Sequence, residues 1–165
     1  MVRDDATRVE FRPMTRADLP AVLDAQEAGG VLGLAAVFPQ DRFPFPRDAV
    51  RRRWEDELED DAVACLVVVE GGSVVGFAAT RGAEVLHFGT APQRWGSGVA
   101  VAAHDLLLHR MRAAGVSTAW LTVYAANGRG RRFWSRLGWR PTGETSRGPV
   151  PPHAELLRYE RSLSD

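Results

Sequence analysis

The sequence predicts an α/β (α+β) fold, a mixed and mostly antiparallel sheet of about six or seven strands flanked by about four helices. Three observations predict it. Helical spacing of apolar residues in the first third of the chain gives way, from residue 62, to short apolar runs of strand length. Gly71-Gly72 stands between two such runs and marks a hairpin, because both residues tolerate positive φ. A long apolar helix preceded by glycines then interrupts the strands, which calls for a crossover in the middle of the sheet.

Each element has its own warrant. Residues 8–14, RVEFRPM, alternate as a strand does. In TRADLPAVLDAQEAGG, 15–30, Thr15 is placed as an N-cap, the apolar residues keep helical spacing, and the double glycine signals a stop. GVLGLAAVFPQDRFPFP, 30–46, has three Phe and three Pro with little periodicity, so it reads as a loop or broken helix whose aromatics cover a core or line a pocket. RDAVRRRWEDELEDD, 47–61, reads as a solvated amphipathic helix with Val50, Trp54 and Leu58 turned inward. AVACLVVVE (62–70) and SVVGFAATR (73–81) form the hairpin, and AEVLHFGT (83–90) is the next strand. The long helix buries Val99, Ala103, Leu107 and Met111 and leaves His104, Asp105, Arg110 and Arg112 largely outside that stripe. After Gly115 come the strand TAWLTVY (118–124) and a helix over 128–137, with Asn127 before it and Gly138 after it. The short GWRPTG, the loop ETSRGPVPPH and a closing strand over 154–163 complete a single domain, 1–165, without internal repeats.

At 165 residues, 45% hydrophobic and 25% charged, the chain has the make-up of one soluble domain with a proper core. Its 21 basic residues balance 21 acidic ones, so no overall field recruits nucleic acid or anionic lipid, and partners must be recognised locally. Every basic residue is Arg, and Lys and Ile are both missing, which points to GC-rich coding and a bacterial source. Cys65, the one cysteine, sits inside an apolar strand and reads as a small core residue. The N-terminal MVRDDATRVEF has no apolar signal core and no run is long enough to span a membrane, so a cytoplasmic location is expected.

The segment APQRWGSGVA, 91–100, carries the chemistry. Pro92 stops the preceding strand, and Gly96 and Gly98 bring two small backbones to a helix start whose first N–H groups lack intrahelical partners. The glycines serve either a tight turn or an anion site. In the second case a phosphate gains roughly 0.3–1 kcal/mol from the helix terminus, plus charge-assisted bonds to amides. Two nucleotide motifs do not fit: a Rossmann turn needs G-x-G-x-x-G after the first strand, and a P-loop needs a lysine that this chain does not have.

LHFGTAPQRWGSGVA, WLTVYAAN and NGRGRRFWSRLGW together resemble the GNAT superfamily of N-acetyltransferases, whose patterns P-x-x-[QR]-G-x-G-x-[GA] and N-x-x-A-x-x-[FL]-Y-x-x-x-G-[FW] flank the central helix and follow the fifth strand. The resemblance is strongest over 84–139, and FRPMTRADLPAVLDAQEA looks like the family's opening strand and helix. It implies acetyl-CoA as cosubstrate, with the pantetheine between splayed fourth and fifth strands, and no metal. Phe88, Gly89 and Thr90 would then pair with the pantetheine, and Gly96, Ser97, Gly98, Val99 and Ala100 would cradle the phosphates. Asn127, Gly130, Phe133 and Trp134 would flank the cofactor from the other side. Asn127 also reads as the N-cap of its helix.

Two departures matter. Trp95 replaces the usual Gln or Arg before the first motif glycine, so a side-chain contact to phosphate falls to a neighbour such as Arg94. Trp134 replaces the family's Tyr, a general acid, and an indole N–H donates a hydrogen bond but not a proton. Tyr124 or water is the expected substitute. An amine with pKa near 10.4 is only about one part in a thousand neutral near pH 7, so a base is expected. Glu84, early in the fourth strand, matches the base of one branch of the family, and Thr122 stands where another branch has a Glu. His87 is the second candidate, and strict alternation places it on the opposite face from Glu84. The expected function is acetyl transfer to a primary amine of a small molecule or a peptide N-terminus, with a homodimer compatible; the alternative is a non-catalytic acyl-CoA-binding module. Phe38, Phe43 and Phe45, with Asp41, Arg42 and the segment SRGPVPP, are expected to shape the acceptor pocket.

Overall fold

The computed structural model describes residues 8–164. Residues 1–7, which hold most of the segment read for a signal core, lie outside the described residues, as does residue 165. Seven strands and four α-helices follow in the order β1 (Val9–Pro13), α1 (Leu19–Gly33), α2 (Arg47–Glu59), β2 (Val63–Glu70), β3 (Ser73–Arg81), β4 (Glu84–Thr90), α3 (Val99–Ala113), β5 (Thr118–Tyr124), α4 (Gly128–Arg136), β6 (Arg140–Arg147) and β7 (Glu155–Ser162). The strands make one sheet in the order β1-β2-β3-β4-β5-β7-β6. Every neighbouring pair is antiparallel except β4 with β5, which is parallel because α3 carries the chain across between them.

Helices cover both faces, and the strand sequences show why. In β2, Leu66 and Val68 pack toward α3, while Val67 and Val69 pack toward α1 and α2; burial on both faces makes the run apolar without alternation. Trp54 anchors α2 at 2% exposure, and its indole N–H donates to Gln26 of α1 at 2.8 Å. On the other face Leu107, Leu108 and Met111 of α3 meet Leu121 and Val123 of β5, Trp134 of α4, Trp139 and Tyr159.

Three expectations give way. The glycines at 29 and 30 do not stop α1, which runs to Gly33: Gly29 and Gly33 lie against the Trp95 indole, and Gly30 lies against Phe45. The segment ETSR belongs to β6 rather than to a loop; this edge strand is exposed along its whole length, so no apolar pattern announces it. His104, expected outside the buried stripe of α3, is 1% exposed, because α4 and Trp139 cover a side of α3 that the sheet does not reach. Its Nε2 accepts from the Trp139 indole at 2.9 Å, and its Nδ1 lies 2.9 Å from Asp105.

Candidate functional site

Strands β4 and β5 pair only at Glu84 and Trp120, where the Trp120 N–H also reaches the Ala83 carbonyl at 3.0 Å. Beyond that point they part. On its other side β4 presses closely on β3: a Cβ on Gly76 would come within 2.5 Å of the Gly89 carbonyl, and one on Gly89 within 2.7 Å of the Phe77 ring. Only glycine allows that approach. The main-chain groups of Phe88 and Thr90 face an opening rather than a neighbouring strand, whereas the Gly89 carbonyl turns toward β3. The Phe88 ring turns toward α4, 5.8 Å from Phe133 and 5.4 Å from Trp134, so aromatic rings floor the opening on the α3–α4 side.

At the end of β4 the Pro92–Arg94 turn leads into Gly96 and Gly98, with φ of 76° and 92°. Space is open above both glycines: a Cβ added to either would meet nothing within 4 Å. The Ser97 hydroxyl donates to the Arg94 carbonyl and accepts from the Val99 N–H at 3.3 Å. Among the described residues no acceptor meets the N–H groups of Gly96, Gly98, Ala100 and Val101. The Val99 side chain points into the core at 3% exposure. Arg94 forms an ion pair with Glu70. Trp95 donates its indole N–H to the Thr90 carbonyl at 3.1 Å, and Arg129 of α4 stacks over the ring at 3.7 Å.

Across the opening, Asn127 caps α4, its Oδ1 accepting from the Gly130 N–H at 2.9 Å. A Cβ on Gly130 would stand 2.4 Å from the Asn127 amide nitrogen, so cap and glycine require each other. Trp134, 8% exposed, packs as a wall against Phe88 and Trp139.

The α1–α2 side is built from side chains. Tyr124 leaves β5 on this face, meets the edge of Phe38 at 5.3 Å and places its hydroxyl beside Gly148. Burial pushes its phenol above the ordinary range, against the pull of the Arg53 charge, so it keeps its proton near neutral pH. His87 comes from β4 and lies 2.9 Å from Glu57. Burial would raise the Glu57 carboxyl, but its hydrogen bond with His87 and the neighbouring Arg53 hold it below the usual carboxylate range. Arg53 and Glu57 were hidden in the sequence inside a helix read as solvated; the signal available was their four-residue spacing beside Trp54, which puts them on the flank of the buried face.

Glu84 and His87 share a face, contrary to strict alternation. The register slips between Ala79 and Thr80, opposite His87 and Val85, so β4 carries one extra residue there. Leu86 and His87 consequently both turn toward α1 and α2, and the phase returns at Phe88. Glu84 stands at the closed end of the opening, roughly 10 Å along the strand from His87. Of the proposed pocket residues, Phe38 reaches the opening, Phe45 lies on Gly30, and Asp41 and Arg42 are exposed on the loop.

The family model for Acetyltransferase (GNAT) family matches residues 15–139. Similar solved structures include a GCN5-related N-acetyltransferase from Rhodopseudomonas palustris, 16% identical with a TM-score of 0.79 and 98% of each chain covered. The PaiA N-acetyltransferase of Thermoplasma acidophilum, solved with coenzyme A, is 14% identical with a TM-score of 0.70, covering 94% of this chain and 99% of that one. A spermidine N-acetyltransferase from Vibrio cholerae, solved with CoA and spermine, is 14% identical with a TM-score of 0.71, covering 94% and 95%. At such identities the likeness is one of fold. No curated protein matches the chain closely enough to count as a relative.

Proposed function

Because the chain belongs to the acetyltransferase (GNAT) family, we propose that it moves an acetyl group from acetyl-CoA to a primary amine of a small molecule or a peptide N-terminus, in the cytoplasm of a bacterial cell. One observation carries the cofactor part of this reading: among the described residues the amides at 96, 98, 100 and 101 meet no acceptor, space is open above Gly96 and Gly98, and beside them lies the edge of β4 that β5 leaves open at Phe88. Such a run of donors fits a pyrophosphate, and the edge fits the amides of a pantetheine arm. Acetyl-CoA would supply an activated thioester whose carbonyl carbon an amine attacks and whose sulfur leaves as a thiolate.

The chain's own groups then have distinct tasks. The amides before α3 bind the phosphates, with Ser97 shaping the turn, and Asn127 and Gly130 fix the start of α4 on the opposite side. Phe88, Phe133 and Trp134 make an aromatic wall that excludes water from the α3–α4 side. Tyr124 holds a proton at its hydroxyl on the acceptor side and takes the place of the phenol missing at Trp134. The base is sought among the groups on β4, Glu84 and His87. Thr90 and Trp95 brace one another, and Arg94, paired with Glu70, supports the turn. Cys65, its thiol pushed up to about 11 by burial and by Glu57 and Asp60, takes no part in transfer.

A non-catalytic acyl-CoA-binding module is the rival, favoured by the indole at Trp134. Free-thiol release from acetyl-CoA with a panel of amines separates them. Amine-dependent release supports the enzyme, whereas CoA binding without release from any amine would leave the binding module standing.

A further inference from the structure

His87 from β4, Tyr124 from β5, and Arg53 and Glu57 from α2 converge beside the opening. Nε2 of His87 lies 2.9 Å and 3.0 Å from the two Glu57 oxygens. Arg53 Nη2 lies 2.9 Å from Nδ1 and 3.0 Å from Nε2. A carboxylate only accepts and a guanidinium only donates, so Nε2 carries the hydrogen toward Glu57 and Nδ1 keeps the lone pair, covered by Arg53. The Trp54 ring, centred 4.8 Å away, closes a further side of the imidazole. The His87 and Glu57 side chains are 9% and 14% exposed, whereas Arg53 is 53% exposed. The pair is fixed, and Arg53 is the member that can move.

Resting on the acetyltransferase reading above, we infer that His87, positioned by Glu57, is the base for the acceptor amine, and that the acceptor bears an anionic group near that amine which draws Arg53 off Nδ1. Nδ1 takes one proton from the acceptor ammonium and passes it to solvent. The freed lone pair forms the C–N bond as the C–S bond breaks and its electron pair leaves on sulfur. Tyr124 gives its proton to that sulfur and recovers one from the new amide nitrogen, so ammonium and thioester become amide, thiol and one released proton. The titratable and charged groups on this side include Glu57 and Arg53 of α2, Tyr124 of β5, Glu84 of β4, Arg81 of β3 paired with Asp60, Arg158 of β7 over Trp120, and Cys65 of β2, which lies in register with Ala79 and His87.

Nitrogen NMR of protein labelled at histidine reads the tautomer without turnover. Nε2–H is expected at His87 in the wild type, with that preference weakened in Glu57→Gln; an Nδ1–H wild type overturns the positioning role. An amino acid and its carboxamide serve as paired acceptors. Wild type should favour the acid by tenfold or more in kcat/KM, although the carboxamide's amine loses its proton more readily. Arg53→Leu should erase the preference through KM and raise kcat with the carboxamide. His87→Gln should lower kcat by about 10²-fold near neutral pH, the defect narrowing as pH approaches the acceptor's own pKa. Equal use of acid and carboxamide by the wild type overturns the anionic acceptor, and a larger kcat loss in Glu84→Gln than in His87→Gln overturns the base. CoA calorimetry accompanies each protein: wild type that fails to bind CoA sinks the acetyltransferase reading itself, while variants that bind normally show that the kinetic losses belong to His87 and Arg53.

Discussion

The two sides of the opening between β4 and β5 are made of different material. On the turn before α3 the available polar groups are main-chain N–H groups, set by two glycines at positive φ within a few residues of one another. On the α1–α2 side, where the acceptor is proposed to bind, they are side chains from three separate elements, and the Glu57–His87 pair spans 30 residues of sequence. A backbone site tolerates side-chain change but not a change of conformation. A side-chain site tolerates backbone adjustment but not loss of a partner, because Glu57, largely desolvated, would be left without its hydrogen bond. Substitutions should therefore separate the sides, binding failing at one and turnover at the other.

The largest effect is expected at Gly98. Gly98→Glu brings a side chain and a negative charge to the proposed phosphate site and should abolish the rise in Tm expected from CoA, a stabilisation of about 2.7 kcal/mol at a ligand concentration of 100 Kd. Gly98→Asn tests whether charge or conformation is responsible, since Asn tolerates the left-handed region that φ of 92° requires. It should keep most of the shift, and a full CoA shift in a folded Gly98→Glu protein would remove the amides from the cofactor site. Tyr124→Phe comes next. With the phenol lost from the acceptor side, kcat should fall by about 10²-fold with CoA affinity unchanged by calorimetry; weakened CoA binding with normal kcat would place Tyr124 on the wrong side of the comparison.

Between α3 and α4, His104 offers a smaller effect. Burial holds its imidazole below the ordinary range, against the opposing pull of Asp105. The unfolded chain then binds more protons than the folded one as pH drops below about 6.5, so stability is full above that value and is lost as pH falls through the folded pKa, at up to about 1.4 kcal/mol per unit. Urea unfolding between pH 7.5 and 5 should show this slope, and His104→Gln should flatten it. The smallest difference is expected at Trp134, where Phe and Tyr substitutions should turn over within about threefold of each other if the position is only a wall and Tyr124 supplies the proton as proposed. A tenfold advantage of Tyr over Phe in steady-state rates would return the proton donor to α4.

Much of this was legible before the structure. The succession of strands and helices rests on local spacing, and the hairpin at Gly71-Gly72, the helix start after Gly98 and the Asn127 cap are all found where the residues announce them. The places where local reading failed share a cause. Gly29 and Gly30 resemble a helix stop, but Trp95 and Phe45 pack against α1 there, and that contact comes from residues distant in sequence. An edge strand exposed on both faces, β6, has no periodicity to read.

By itself, then, the sequence determined the order of elements, the single parallel pairing implied by a helical crossover, and the backbone chemistry of the Gly96–Gly98 turn, because each depends on conformational preferences over a few neighbouring residues. Tertiary structure decided the rest. One extra residue in β4 reversed the relation between Glu84 and His87, and nothing within EVLHFGT marks where a partner strand slips by one position. The docking of α2 turned Glu57 and Arg53 from apparent surface charges into the partners of His87, because burial and pairing depend on which surfaces meet across the sheet and not on the spacing of residues along the chain.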